Sequence, residues 1–243
     1  EGAEKLFHYN LFMVSTHRDK ARVGTITSHM EHYLEWKDPY PLSLEEVAGG
    51  EASQDVLLAG LFSRANFLDI LQNFTIFEPV DGRVIKKIPR YQQFRAVHKT
   101  IERLKIGNTP KDKSGVIWHT QGSGKSLTMV FLTVKIRRDP ELKGYKLVFL
   151  TDRKQLDAQL TTTFSHAQNE TVHHADSVES LKKLLASDSS DIVTAMVQKF
   201  QERSDNFEFP VLNESHKIIV LADEAHRTQY GALGAAINTA IPN

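Results

Sequence analysis

The stretch His119-Thr120-Gln121-Gly122-Ser123-Gly124-Lys125-Ser126 constrains this chain more tightly than any other part of it. An apolar run, Val116-Ile117-Trp118, comes just before it, and a segment with helical periodicity over 126–138 comes after. A glycine-bearing loop between a strand and a helix, closing on Gly-Lys-Ser, is the arrangement of a phosphate-binding loop. Successive backbone N–H groups of Gly122, Ser123, Gly124, Lys125 and Ser126 can wrap a phosphate, and the helix N-terminus adds a favourable dipole. Gly122 and Gly124 let the backbone approach closely and take positive φ. Lys125 would neutralise the β and γ phosphates of a nucleoside triphosphate, and the Ser126 hydroxyl would reach Mg²⁺. The pattern departs from its usual form where His119 stands in the first glycine position.

The loop predicts a strand over 115–120 and a helix over 126–138. Further apolar runs follow at Leu147-Val148-Phe149-Leu150, Ile192-Val193-Thr194-Ala195-Met196 and Ile218-Ile219-Val220-Leu221. Runs of this kind suit strands buried on both faces of a parallel sheet. Helical periodicity over 153–164 and 178–185 lies between them, with Asp176 or Ser177 available as a cap for the second. Strand and helix alternating from about residue 90 argue for a doubly wound α/β domain. The earlier part is patterned differently, with short apolar runs, turns at Pro39-Tyr40-Pro41 and Gly49-Gly50, and a helical pair over 53–74.

The run at 218–221 ends in Ala222-Asp223-Glu224-Ala225-His226. An apolar strand ending in two carboxylates suits a magnesium site. Asp223 would hold the ion through water, and Glu224 would orient or deprotonate an attacking water. An Asp-Glu pair after a strand is common by itself. Its weight comes from following the phosphate loop after intervening strand–helix units. Arg90-Tyr91-Gln92-Gln93-Phe94 opens another helical stretch before the loop. A glutamine amide there matches the donor and acceptor of the adenine edge, although the same residues suit an ordinary amphipathic helix start. Spacing favours Gln93 over Gln92.

Composition bounds the partners. Lys plus Arg and Asp plus Glu number 30 each, for a net charge of zero, whereas strong nucleic-acid binders usually carry a basic excess. This stretch alone is expected to hold DNA weakly. There is no cysteine, so disulfides and thiolate metal sites are excluded and a cytoplasmic setting is expected. No apolar run approaches the roughly 20 residues that cross a bilayer.

Taken together these residues resemble a known family. Asp223-Glu224-Ala225-His226 is the DEAH form of the second motif of superfamily 2 helicases and translocases. His119 through Met129 is similar to the first motif of type I restriction enzyme R subunits, in which histidine takes the first glycine position. Phe7-His8-Tyr9-Asn10 running on to Ala21-Arg22-Val23-Gly24-Thr25-Ile26, Tyr91-Gln92-Gln93-Phe94-Arg95-Ala96-Val97 and Thr194-Ala195-Met196-Val197-Gln198-Lys199-Phe200 also resemble that family.

The resemblance implies an α/β fold. A RecA-like P-loop NTPase parallel sheet, the first motor domain, would span 88–243, preceded by a mixed α/β segment over 1–87 that follows the nuclease core and links it to the motor. It implies ATP and Mg²⁺ as cofactors. Gly122, Ser123, Gly124, Lys125 and Ser126 would hold the phosphates, Ser126 and Asp223 the metal, and Glu224 would be the hydrolytic base. Gln93 would read adenine. Leu150-Thr151-Asp152-Arg153 would take the place of a motif that contacts the DNA backbone. The parent would be an ATP-dependent type I site-specific deoxyribonuclease that pumps double-stranded DNA, in complex with methyltransferase and specificity subunits. The chain stops at Asn243, so the second motor domain and its arginine finger are expected to lie outside it. Such an arginine can be worth roughly 10³–10⁵ in rate, and hydrolysis by this stretch alone is expected to be very slow.

Other signals point elsewhere. Glu35-Trp36-Lys37 has the short spacing of a nuclease motif, but 30–34 reads as helix, and a solvated helix end is the expectation. His17-Arg18-Asp19 lacks the asparagine a kinase catalytic loop requires. His29, His32, His173 and His174 read as surface or loop histidines, and Lys86-Lys87 and Arg137-Arg138 as solvated faces. Two rival readings remain: a superfamily 2 translocase of repair or remodelling, and a nucleotide-independent assembly module whose P-loop is degenerate at His119.

Overall fold

The structure, a computed structural model, describes residues 4–7, 9–47, 50, 52–120, 122–151, 158, 160–164, 172–196, 210–223, 235 and 238–243. Contacts divide the chain into two compact units, Glu1–Gly124 and Lys125–Asn243. The change in sequence pattern expected near residue 88 therefore falls inside the first unit.

The first unit begins with a hairpin of β1 (Met13–His17) and β2 (Lys20–Gly24), against which the short β3 (Leu34–Glu35) pairs antiparallel. Helices α1 (Ser53–Phe62) and α2 (Arg64–Asn73) are the helical pair the periodicity predicts, and α1 packs on β2. A second hairpin joins β4 (Ile76–Val80) to β5 (Arg83–Lys87) through Asp81-Gly82. Both turn residues have positive φ, 48° and 75°, which matches the right-handed twist of the flanking strands. Then come α3 (Tyr91–Ile106) and the one-turn α4 (Pro110–Lys113). The core between them is aromatic. Phe94 of α3 sits 4.9 Å from Phe74, 5.9 Å from Trp36 and 6.4 Å from Tyr40, ring centre to ring centre. Trp36, Phe74 and Phe94 are fully buried. At the rim Arg95 pairs with Asp38 at 2.5 Å and His98 with Asp69 at 2.7 Å, so both flanks of α3 are tied to earlier parts of the unit.

The second unit is a parallel sheet. Helix α5 (Lys125–Arg138) leads to β6 (Lys146–Thr151), followed by β7 (Val172–Ala175), α6 (Val178–Ala186), β8 (Ile192–Met196) and β9 (Ile218–Ala222). The strand order is β7-β8-β6-β9, and every pairing is parallel. All six residues of β6 are buried. On one face Val148 and Leu150 join Val193 and Ala195 of β8 and Leu181 and Leu185 of α6 in a continuous apolar cluster. The alternate residues Leu147 and Phe149 point the other way and are equally buried. Ser177, one of the two caps the sequence offers, caps α6, its hydroxyl accepting from Ser180 N–H at 3.1 Å.

Three local expectations are corrected, at residues 115–120, at 30–34 and at Arg137. Residues 115–120 form no strand, and Val116 and Trp118 are 84% and 86% exposed. An apolar run becomes a strand only where a neighbour completes its backbone hydrogen bonds, and among the described residues this one has no ladder partner. Residues 30–34 are a 3₁₀ turn over Met30–His32 and then the start of β3, not a helix. His173 and His174 lie on β7 rather than in a loop, half-buried and exposed as surface histidines are, and His174 Nδ1 meets Thr194 Oγ1 at 2.9 Å. Arg137 is buried rather than solvated. It donates to the carbonyls of Lys143, Tyr145 and Ser190, joining the end of α5 to the loops that enter β6 and β8.

Lys146 has a comparable task. It is 2% exposed, and its ammonium donates to Leu184 O, Ser187 O and Ser187 Oγ at the C-terminal end of α6. Burial pushes it below the ordinary lysine range, while Asp191 and Asp188 pull it partly back. A cation at a helix C-terminus satisfies carbonyls that have no partner in the helix. Lys146→Met should therefore strand buried acceptors and lower stability by about 2–4 kcal/mol, seen as a lower urea midpoint at unchanged slope. A midpoint within error of wild type would show that these carbonyls do not depend on the lysine.

Candidate nucleotide site

Lys125 is the first residue of α5, and the loop leads directly into it. Gly122 has φ +77° and Gly124 φ +83°, the left-handed region open to glycine without steric penalty. A Cβ on Gly122 would meet nothing within 4 Å, so backbone conformation alone requires glycine there. Between them Ser123 is buried and turns the loop on itself, its N–H and hydroxyl donating to Thr120 O at 3.2 and 2.6 Å. Positive-φ residues alternating with ordinary ones turn successive N–H groups toward one side, which makes an anion-binding nest. Lys125 and Ser126 are half-buried at its end, and His119 is half-buried at its start.

Gln93, the residue expected to read adenine, is 1% exposed and its amide is engaged at both ends. Its Oε1 accepts from Arg90 N–H at 2.8 Å, and its Nε2 donates to Gly124 O at 2.9 Å and more weakly to Ser123 O at 3.5 Å. The first of these bonds is the returning arm of a capping box, in which a residue three places into a helix satisfies the N-cap amide. Glutamine three places after Arg90 is the signal that could have predicted it. The neighbouring Gln92 carries a buried Oε1 with no hydrogen-bond partner among the described residues.

In the second unit the chain runs from β6 to the far edge at β7, returns through β8, and then places β9 on the other side of β6. The order therefore reverses between β6 and β9. In open α/β sheets ligands bind outside the carboxyl ends of strands at such a switch point. Those ends carry Thr151, fully buried, and Asp223, 3% exposed. Asp223 N–H donates to Leu150 O at 2.9 Å, so ladder pairing continues one residue past β9 and fixes the carboxylate's starting point. A buried carboxylate is costly unless donors or a cation compensate it, and a hydrated magnesium ion is a cation suited to that role. Glu224, Ala225 and His226 lie outside the described residues, as do Asp152 and Arg153 and most of the helix expected over 153–164.

Other charged groups are engaged in the framework. Glu35 pairs with Lys37 at 3.2 Å across the buried Trp36. Among the described residues no group of three or more His, Asp or Glu side chains could hold a metal ion. Lys86 and Lys87, read as a solvated pair, make specific contacts, Lys86 with Asn10 O at 2.7 Å and Lys87 with Glu78. No helix among the described residues is long and apolar enough to cross a membrane.

Comparison with known proteins agrees with this geometry. The SWI2/SNF2 ATPase family model matches residues 92–243, more than half of the chain. Over 98% of its length the chain is 34% identical to a Methanocaldococcus jannaschii protein bearing the name putative type I restriction enzyme MjaIXP endonuclease subunit, of which it covers 24%. Over 93% of its length it is 34% identical to the type I restriction enzyme HindI endonuclease subunit of Haemophilus influenzae, of which it covers 22%. The chain thus spans about a quarter of the length of the curated relatives it matches. The chain belongs to the SWI2/SNF2 ATPase family and shares nearly its whole length with type I restriction enzyme endonuclease subunits.

Proposed function

We propose that this chain is the ATP-binding part of the restriction subunit of a type I restriction-modification enzyme. In the whole protein, ATP turnover would drive translocation of double-stranded DNA and its cleavage. The observation that carries the proposal is the conformation of the loop: two glycines in the left-handed region, with Lys125 following as the first residue of α5. That backbone suits the holding of an anion.

Roles follow from residue chemistry. The N–H groups of Gly122, Gly124, Lys125 and Ser126 would donate to phosphate oxygens, while the Ser123 N–H is engaged by Thr120 O, and the Lys125 ammonium would offset the phosphate charge. The Ser126 hydroxyl and the Asp223 carboxylate would hold the magnesium shell. Glu224 would orient the attacking water and take its proton. Bound Mg-ATP supplies the phosphoryl group and a metal ion that neutralises the charge developing on it. Residues 1–87 are read as the segment joining nuclease core to motor, and 88–243 as the first RecA-like domain. Methyltransferase and specificity subunits would be the protein partners, and the setting cytoplasmic.

The whole-length alignment favours this reading over a repair or remodelling translocase. Similarity to the restriction subunits covers 98% and 93% of the chain, whereas the ATPase match begins only at residue 92. The assembly-module reading rests on His119 alone and makes the opposite prediction about nucleotide.

Calorimetric titration of Mg-ATP should show saturable binding by the chain. Lys125→Ala should weaken it by about 10- to 100-fold, the worth of a charge-assisted hydrogen bond. Binding unaffected by the substitution would take the loop out of the site, and no binding by the parent chain would favour the assembly module. Asp223→Asn keeps the backbone bond to Leu150 and removes the carboxylate. It should leave affinity for metal-free ATP unchanged and abolish most of the gain that magnesium gives. If magnesium still enhances binding as in wild type, Asp223 is not the metal carboxylate.

A further inference from the structure

Charge is unevenly distributed along the first unit. Before Arg83, thirteen residues are Asp or Glu and six are Lys or Arg. From Arg83 to Lys113, ten are Lys or Arg, and the acidic residues are Glu102 and Asp112. Some of this contrast is taken up by ion pairs inside the unit, Lys87 with Glu78 and Arg95 with Asp38. The rest is not. Among the described residues no carboxylate lies within ion-pair distance of Lys99, Arg103, Lys111 or Lys113.

The fold gathers these four cations on one surface. Phe94, Val97 and Ile101 are buried along one face of α3, and Lys99 and Arg103, one turn apart, lie on the opposite face and are exposed. The short α4 folds back on the end of α3. Arg103 Nε donates to Asp112 O at 2.8 Å, and a Cβ on Gly107 would stand 2.7 Å from Lys113 Cγ. Asp112 lies between Lys111 and Lys113 in sequence, so its bond to Arg103 brings those two cations alongside. The Asp112 carboxylate is turned back to the start of α4, where it accepts from Thr109 N–H at 3.1 Å and Thr109 Oγ1 at 2.7 Å. Those bonds hold it below the usual carboxylate range, and Arg103 feels its charge at longer distance.

Like charges gathered at a surface repel one another, and a fold gains no stability from them. What such a surface does is concentrate an anionic partner. We infer that the α3–α4 surface, through Lys99, Arg103, Lys111 and Lys113, is a contact site for the phosphate backbone of double-stranded DNA. Proteins that hold single strands add aromatic platforms for the bases, and neither α3 nor α4 exposes an aromatic residue. Lys99 and Arg103 are about 6 Å apart along the helix axis, and phosphates on one strand recur about every 3.4 Å along the duplex. Two such side chains therefore span one or two phosphate steps. Backbone contacts carry no sequence information, which suits a surface that must hold DNA wherever it lies. Four cations give weak, salt-sensitive binding, in keeping with the zero net charge of the chain.

The choice of DNA as the anion rests on the restriction-subunit reading, and the test separates the two. A labelled duplex is titrated with the chain across a range of salt and followed by fluorescence anisotropy. The same is done with Lys99→Gln/Lys111→Gln/Lys113→Gln, in which Arg103 keeps its bond to Asp112. A control, Lys20→Gln/Arg22→Gln/Arg64→Gln, removes the same charge from exposed positions on β2 and α2. The parent should show a log–log salt slope of about −4, and the patch variant should lower its size by about three and weaken binding at least tenfold. Lys99→Gln alone, on the open face of α3, should lower it by about one, which keeps the test decisive if the triple variant does not fold. The control should stay within about twofold of the parent. No duplex binding by the parent at low salt, a patch variant with the parent's slope, or an equal loss in the control would overturn the inference. Tighter binding of a single strand of the same length would overturn the duplex assignment. Mg-ATP titrated into the same samples should bind parent and patch variant alike. If no sample binds Mg-ATP while duplex binding still depends on the patch, the nucleotide reading fails and the DNA surface stands.

Discussion

Strand β6 is the constraint from which the second unit follows. It pairs in parallel with β8 on one side and β9 on the other, and all six of its residues are buried. Parallel neighbours cannot be joined by tight turns, so each connection must cross over a face of the sheet. With every pairing parallel, the carboxyl ends of all four strands lie along one edge of the sheet. A loop or carboxylate placed after any strand then reaches that edge without special arrangement, which is why Thr151 and Asp223 come to adjoining positions although they are far apart in sequence.

Charge inside this unit serves the framework. Lys146 and Arg137 satisfy backbone carbonyls, Lys146 at the end of α6 and Arg137 in the loops that enter β6 and β8. Each donates several hydrogen bonds from one side chain, as buried cations must if they are not to destabilise the fold. The first unit achieves the same end with aromatic packing. Phe94 anchors α3, and the Arg95–Asp38 ion pair and the His98–Asp69 contact lie at the margin of the cluster, where partial solvation lowers the pair's cost and its worth.

Much of this is legible in the residues. The apolar runs at β6, β8 and β9, the helical pair over α1 and α2, the cap at Ser177 and the glycine loop all announce themselves locally, because each is decided by burial pattern or by turn chemistry within a short window. The rest is decided elsewhere. Strand β7 buries Val172 and Ala175, which lie on opposite faces, so with His173 and His174 between them it shows no alternation. The β4–β5 hairpin carries its signal in Asp81-Gly82, but Pro79 and the charged residues on either side obscure the strands that flank it. Val116-Ile117-Trp118 shows the reverse failure, since its composition suits a strand while its backbone finds no ladder among the described residues. The double engagement of Gln93 depends on a loop that returns thirty residues later, and no local pattern encodes that return.

The first turn of α3 also limits how this chain can vary. Gln93, Phe94 and Arg95 face three different neighbours: the glycine loop, the aromatic cluster and Asp38. Successive helix positions lie about 100° apart around the axis. Inserting or deleting one residue ahead of Phe94 would rotate all three away from their partners together, and no single replacement could restore them. The Asp81-Gly82 hairpin tip, exposed to solvent, carries no such coupling. Length variation among related chains should therefore gather at the hairpin and be absent from the stretch between Arg90 and Arg95, so that register, more than residue identity, is what descent must preserve there.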